Sequence, residues 1–144
     1  MVRVQGSSGV VRVTVLGIVD TMAMLRRKNI QIATEVELET AQTANFAGQE
    51  VQESIMGNRA EERSIDSGFL ANNIEVEAND KLSYVIKPSE NSYPTKDITA
   101  KEVALFLENG TVSIAPRQHF ANTRERLKPL IKKRYDGRIK FAIS

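Results

Sequence analysis

The sequence predicts an α+β fold: a long N-terminal helix packed on a small antiparallel sheet, with a basic helix at the C-terminal end. Three observations predict it. Apolar residues recur at helical spacing, without proline, over about 21–56. Two segments of alternating apolar and polar residues flank Asn79-Asp80, which is typical of a β-hairpin. Helical and strand patterns lie in separate blocks, so the chain does not read as a series of β-α-β units.

The length of 144 residues suits one domain with two short terminal extensions. We expect a flexible arm at 1–9, because it ends in a Gly-Ser-Ser-Gly run, followed by a single domain at 10–136. The tail at 137–144 carries Ile139 and Phe141 at alternating positions and is predicted as an edge strand. Both extensions are expected to act in assembly.

A strand and a long helix are predicted in the first half of the chain. β-branched residues dominate from Val10 and favour a strand at about 10–17. A helix over about 21–56 would be about 50 Å long, so it should either bend near Gly48 or project from the domain. Its core-facing stripe is predicted to contain Leu25, Ile32, Val36, Thr40, Thr43, Ala47, Val51 and Ile55.

The middle of the chain predicts a short capped turn, a hairpin and a helix. Asp66 or Ser67 is expected to cap a turn anchored by Phe69 and Leu70. The hairpin pairs 74–78 with 82–86, and a proline-containing loop follows. The next helix covers 99–108, with Thr99 as its N-cap and Asn109-Gly110 at its end.

The end of the chain predicts a strand and a last helix. Residues 111–115 have strand character, and Pro116 suits the first turn of a helix that runs to about Tyr135. Pro129 is expected to kink this helix and Gly137 to stop it. The residues predicted to face the core are Phe120, Leu127, Leu130 and Ile131.

The composition argues against several function classes. The chain has no cysteine and one histidine, His119, which excludes thiolate sites and two-histidine metal motifs. It contains no phosphate-binding loop, dinucleotide fingerprint or nucleophile elbow, so we expect no enzyme, no cofactor and no metal. A lone histidine beside Phe120 is more often a packed or interface residue than a general base. The longest apolar stretch is short and interrupted by Arg12, so we expect no membrane span, no signal peptide and a cytoplasmic protein.

Charge is unevenly distributed along the chain. Residues 1–28 carry a net +4, residues 29–116 a net −9, and residues 117–144, with nine basic and two acidic residues, a net +7. Such asymmetry indicates one surface that attracts anions and another that repels them. The anion is either nucleic acid, bound through its backbone, or an acidic protein surface. The residues expected to form this interface are Arg124, Arg126, Lys128, Lys132, Lys133, Arg134, Ile139 and Phe141.

Three segments, in order, resemble the neck or tail-completion proteins of long-tailed bacteriophages. Residues 63–74, Arg-Ser-Ile-Asp-Ser-Gly-Phe-Leu-Ala-Asn-Asn-Ile, resemble that family's Ala-Pro-Val-Asp-Thr-Gly-x-Leu-x-x-Ser-Ile stretch. Residues 103–111 are similar to its Tyr-x-x-Tyr-Val-Glu-Phe-Gly-Thr stretch, and 115–120 to its Pro-Ala-Arg-Pro-Phe opening of the final helix. The residues that carry these motifs are expected to hold the fold: Asp66, Gly68, Leu70, Glu108, Gly110, Thr111, Pro116 and Phe120.

The resemblance implies a structural role in the virion. The chain would form a homo-oligomeric ring, for which a hexamer is favoured and a dodecamer is the alternative. Connector or adaptor proteins would lie on its head side and terminator or tube proteins on its tail side. DNA would pass through the ring without sequence-specific binding. A channel must let DNA slide, so most basic residues of the last helix are expected to face protein neighbours or the outside. The alternatives are a tail terminator ring and a small basic nucleic-acid-binding protein.

Overall fold

The fold is a two-layer α+β arrangement, as the sequence predicts. The computed structural model describes residues 2–6, 9–15, 30–64 and 68–143. Across these ranges, a long N-terminal helix and a basic C-terminal helix accompany a four-stranded sheet. The elements in chain order are β1 (Val2–Gln5), β2 (Val11–Val15), α1 (Ile30–Ile55), α2 (Phe69–Asn72), β3 (Ile74–Asp80), β4 (Ser83–Pro88), α3 (Ala100–Asn109) and α4 (His119–Ile143).

The sheet is antiparallel throughout, with the strand order β1-β2-β4-β3. The hairpin predicted from the alternating segments is confirmed as β3 and β4. Because side chains alternate across a strand, the register places one apolar row across all four strands, through Val4, Val13, Tyr84 and Ala78. This apolar row faces the helices, and the charged residues of the strands lie on the opposite face.

The core lies between the apolar sheet face and the helices α1 and α4. Val51 and Ile55 are fully buried and Val36 is 3% exposed, which confirms the predicted stripe of α1. Thr40, Thr43 and Ala47 are also fully buried, Ile32 is partly buried, and Leu25 lies outside the described residues. From α4, the buried apolar side chains are Phe120, Leu127, Ile131 and Tyr135.

Gly48 places the backbone of α1 against β3. A Cβ at this position would lie 2.8 Å from Cγ2 of Val76 on β3, so either this side chain or the helix would have to shift. Helix α1 runs unbroken through Gly48 from Ile30 to Ile55. The predicted residues 21–29 of this helix lie outside the described part of the chain.

The prediction of a loose N-terminal arm is wrong for the described residues 2–6. Residues 2–5 form β1, which pairs with β2 in the register Val4↔Val13. The pattern Val-Arg-Val-Gln has the two-residue period of a half-buried strand, and Val4 is only 8% exposed. The residues before the glycine and serine run are therefore not a free arm, because they pair as a strand with the residues that follow the run.

The prediction of an edge strand at the C-terminus is also wrong, because α4 continues to Ile143. Gly137 does not stop the helix: nothing lies within 4 Å of a Cβ built there, and its cost in a helix is only about 1 kcal/mol. At the next residue, the guanidinium of Arg138 forms ion pairs with two carboxylates of α1, which anchors the last turns in helical form.

Two further predictions near α4 are corrected. Residues 111–115 form a turn in which the Thr111 hydroxyl accepts from the backbone N–H groups of Ser113 and Ile114, so they are not a strand. Leu130 is 46% exposed and does not face the core. Pro129 lies inside α4 at an exposed position, and the helix continues beyond it.

The predictions for α3 hold in detail. The Thr99 hydroxyl accepts from the backbone N–H of Glu102, as expected for an N-cap, and Gly110 follows the last helical residue with φ of 78°. Among the described helices, none has a stretch long and apolar enough to cross a membrane.

Candidate functional site

The three segments that carry the family resemblance meet at the first turn of α4. The Glu108 carboxylate, at the end of α3, accepts from the backbone N–H groups of Phe120 and Ala121, both at 2.9 Å. The first N–H groups of a helix have no partner inside it, and the helix dipole favours a negative charge there. Glu108 is 5% exposed, so it caps α4 from inside the protein and ties the second segment to the third.

Arg117 ties the same turn to the first segment. Its backbone N–H donates to the carbonyl of Leu107 at 2.7 Å. Its guanidinium donates to the carbonyl of Arg63 at 2.8 Å and to Oγ of Ser64 at 2.7 Å. One residue therefore bridges all three segments, although the first segment ends 43 positions before Arg117.

Two glycines of these segments occupy backbone conformations that other residues rarely adopt. Gly68 precedes α2 with φ of 80°, and Gly110 follows α3 with φ of 78°. A Cβ at Gly110 would lie 2.8 Å from Cδ of Pro116 and 2.9 Å from the carbonyl oxygen of Ile114. Both positions thus require glycine for the path of the chain.

The remaining motif residues also serve the fold. Leu70 and Phe120 are 3% and 1% exposed and belong to the core. Thr111 holds the turn after α3, and Pro116 packs beside Gly110. Asp66 lies outside the described residues.

A buried chain of hydrogen bonds runs from this turn towards α1. His119 Nε2 lies 2.7 Å from Oγ of Ser64, and Nδ1 lies 2.8 Å from Oγ of Ser54. The Ser54 hydroxyl donates to Glu61 Oε1 at 2.6 Å, so it has to accept from Nδ1–H of His119. The Ser64 hydroxyl accepts from Arg117 and lies closer to Nε2 than to the carbonyl oxygen of Glu62, at 2.7 Å against 3.4 Å, so we assign its proton to Nε2. With this assignment the histidine is neutral and carries its proton on Nδ1.

Burial is the main reason that the pKa of His119 falls to about 4, since the side chain is 2% exposed. The nearby Glu61 raises this pKa, while Arg117 and Arg126 lower it further. A serine–histidine pair is the geometry of an activated nucleophile. Here, however, the histidine is buried at 2% exposure and both of its ring nitrogens are bound within the chain, and we interpret the network as structural.

Two buried glutamates form salt bridges with arginines of α4. Arg126 forms a salt bridge with Glu61 at 2.7 Å, and Arg134 forms one with Glu39 at 2.7 Å. Burial raises the pKa of each carboxyl, but the hydrogen bonds from these arginines and from Thr43 or Ser54 outweigh it, so both pKa values are lowered.

That most basic residues of α4 face protein neighbours or the outside stays a prediction, but several arginines already have partners within the chain. Arg138 pairs with both Glu35 and Glu39, and Arg124 donates to the carbonyl of Val10 at 2.9 Å. The arginines of α4 thus bind acidic and carbonyl groups of their own chain. Ion pairs between the basic segment and the acidic segment of one molecule form at Arg117, Arg126, Arg134 and Arg138.

The lysines and the end of α4 remain exposed. Lys128 pairs with Glu125 one turn earlier, whereas Lys132 and Lys133 have no ion pair within the described residues. Ile139 is 37% and Phe141 is 67% exposed. We use the term α4 outer surface for the residues Lys132, Lys133, Ile139, Lys140 and Phe141.

Sequence reasoning missed the buried acids and their hydroxyl partners. Glu39 falls one helical turn after Val36, on the apolar stripe itself, and that position was a readable signal for a buried, paired carboxylate. Tyr135 donates to the Thr40 hydroxyl at 2.6 Å, again between α4 and α1. No pattern around Glu61 or Ser54 marks them in advance.

No family model, curated protein or solved structure matches this chain. Over the described ranges, no three histidine, aspartate or glutamate side chains come together as a metal site.

Proposed function

We propose that the protein is a structural component of the neck of a long-tailed bacteriophage, where a ring of identical copies joins the DNA-filled head to the tail. The observation that carries the proposal is the meeting of the three motif segments at the first turn of α4. Separate sequence resemblances that converge on one structural unit support a shared architecture more strongly than the same resemblances scattered over the surface.

The shape of the molecule suits a ring subunit. A ring forms when two different surfaces of one subunit meet head to tail and the rotation closes. This sheet has two unlike edges, β1 and β3, and α4 ends in an exposed surface that is both basic and apolar. Head-side connector proteins and tail-side terminator or tube proteins would bind the two rims of the ring.

The distribution of charge weakens the alternative of a nucleic-acid-binding protein. Such a protein needs several arginines and lysines free to contact phosphates. In this structure Arg126, Arg134 and Arg138 are bound to glutamates of the same chain. DNA would therefore pass through the channel without tight or sequence-specific binding.

Loss of the gene from the virus that carries it tests the proposal. We expect DNA-filled heads and complete tails that remain unattached, with joining restored by wild-type protein supplied in trans. Unterminated tails of abnormal length would instead place the protein at the tail terminator. Normal, infectious particles that lack the protein would refute the structural role.

A further inference from the structure

The two outer strands of the sheet carry opposite charges. Strands β1 and β3 are the first and last in the order β1-β2-β4-β3, so each has one side without a strand partner in the described part of the chain. On the charged face of the sheet, β1 presents Arg3 and β3 presents Glu75 and Glu77, all exposed. An unpaired strand edge is a template for pairing with another chain.

We propose that β3 of one copy pairs with β1 of a second copy, so that the sheet continues from subunit to subunit around the ring. The directions fit: neighbouring strands within the sheet are antiparallel, and β1 placed beside β3 by simple continuation of the sheet is antiparallel too. This inference rests on the proposed ring and names the surfaces that close it.

Charge and burial together select a register. Arg3 opposite Glu77 places all four residues of β1 against 75–78, before the bulge between Ala78 and Asp80. In that register Val4 lies opposite Val76, on the face towards the helices. Val76 is 36% exposed in the single chain, so the pairing would cover apolar surface at the edge of the core.

The same charges oppose pairing between like edges. Two β3 strands face to face would bring glutamates opposite glutamates, and two β1 strands would bring together their arginines, an arrangement that destabilises a strand pair. The unlike edges attract instead, and Glu77, which already pairs with Lys87 at 2.5 Å, would sit between two cations. Head-to-tail association is therefore favoured over a closed dimer.

Disulfide cross-linking tests this strand pairing directly. Because the chain contains no cysteine, any disulfide that forms has to join the introduced residues. Directly opposite residues in an antiparallel pair have Cα atoms about 4.5–5.5 Å apart, within the range that a disulfide spans. The variant Arg3→Cys/Glu77→Cys, oxidised as purified full-length protein, should give a ladder of covalent dimers, trimers and larger species on a non-reducing gel. Each single cysteine variant should stop at a dimer.

The matched control is Arg12→Cys/Glu77→Cys, because Arg12 is exposed on the same face but lies one strand in from the β1 edge. It should give no ladder. A control ladder as strong as that of the Arg3 pair, or no ladder from the Arg3 pair, would overturn the proposal.

Charge reversal gives a second, independent test. Arg3→Glu should weaken self-association about fivefold, the equivalent of one cross-strand ion pair, and Arg3→Glu/Glu77→Arg should restore it. Loss without restoration would overturn the pairing. A protein that forms rings but gives no ladder contradicts this inference and leaves the proposed function standing. A ladder from a protein whose loss leaves heads joined to tails supports the strand pairing and refutes the proposed function.

Discussion

Glu108 joins the second motif segment to the third at the start of α4. Its carboxylate satisfies two backbone N–H groups at the start of α4, in a site closed to water. Motif positions of this kind are constrained because the residue type has to match a backbone requirement, as Gly110 also shows with its positive φ.

Glu108→Ala should lower the free energy of unfolding by about 2–3 kcal/mol, because it leaves buried N–H groups without an acceptor. Glu108→Gln should cost less, since one acceptor oxygen remains. Denaturant unfolding measures both. Glu125→Ala, an exposed carboxylate on α4, is the control and should change stability by less than about 0.5 kcal/mol. Equal effects of the two alanine substitutions would show that Glu108 is no cap.

The buried neutral His119 predicts a loss of stability in mild acid. The native histidine stays neutral until its pKa of about 4, whereas the unfolded histidine takes up a proton near pH 6.5. Between these values the unfolded state binds more protons, so stability falls as the pH falls. We expect a loss of about 2 kcal/mol between pH 7.5 and 5, measured by urea unfolding.

Substitution of this single histidine provides the control. Glu39 and Glu61 have lowered pKa values, so their contribution is present above pH 4.5 and is lost only at lower pH, outside this window. His119→Gln should therefore show a flat stability from pH 7.5 to 5. A pH dependence as steep as that of the wild type would assign the effect to other groups.

At the scale of the elements, the long helices and the hairpin could be predicted from periodicity, and the ends of the chain could not. Apolar and polar residues alternate over only four positions at Val2–Gln5. The glycine and serine run beside them is typical of a flexible segment, so the sequence predicts an arm there. The last helix was expected to stop at Gly137, because the tertiary contact that extends it, Arg138 with Glu35 and Glu39, joins residues about 100 positions apart. Local patterns cannot reveal such a contact.

Arg138→Ala should release the last turns of α4 without unfolding the domain. The variant loses two ion pairs that hold the last turns of α4 against α1, next to a glycine that disfavours the helix. We expect faster amide hydrogen exchange there and a global stability loss of at most about 1 kcal/mol. Lys140→Ala, exposed on the same turns, is the control. Unchanged exchange in the arginine variant would show that α4 does not need this anchor.

At the scale of the whole molecule, part of the charge asymmetry is balanced inside one chain, through the ion pairs of four arginines with glutamates of the acidic segment. The candidate site could be predicted at Gly110 from the chemistry of a helix end, whereas Glu108 was expected only as a fold residue that the resemblance implies, and its capping of α4 was not predicted. It was predicted poorly at Arg126 and Arg134, because the acidic partners of these residues lie in the distant elements around α1. What remains for assembly is the α4 outer surface and the two sheet edges.

Reversal of Lys132 and Lys133 to glutamate should reduce the joining of heads to tails while the purified protein stays folded. Both side chains are exposed without an ion pair within the described residues, so the change acts on contacts between molecules. Exposed pairs contribute about 0–1 kcal/mol each, and the effect grows by repetition around the ring. Circular dichroism measures the folding of the variant, and counts of joined particles measure its function. The control is Lys81→Glu/Lys96→Glu, which changes the net charge by the same amount. Equal joining by both double variants would exclude the α4 outer surface as a contact.

The most direct test of the structural role is a density map of the neck in intact virus particles, obtained by cryo-electron microscopy. The proposed role predicts a closed ring of this α+β subunit between the portal side and the tail. In that ring α1 and α4 lie on one side of a sheet that continues between subunits. A neck built without this chain, in particles that are complete and infectious, would contradict the proposed structural role.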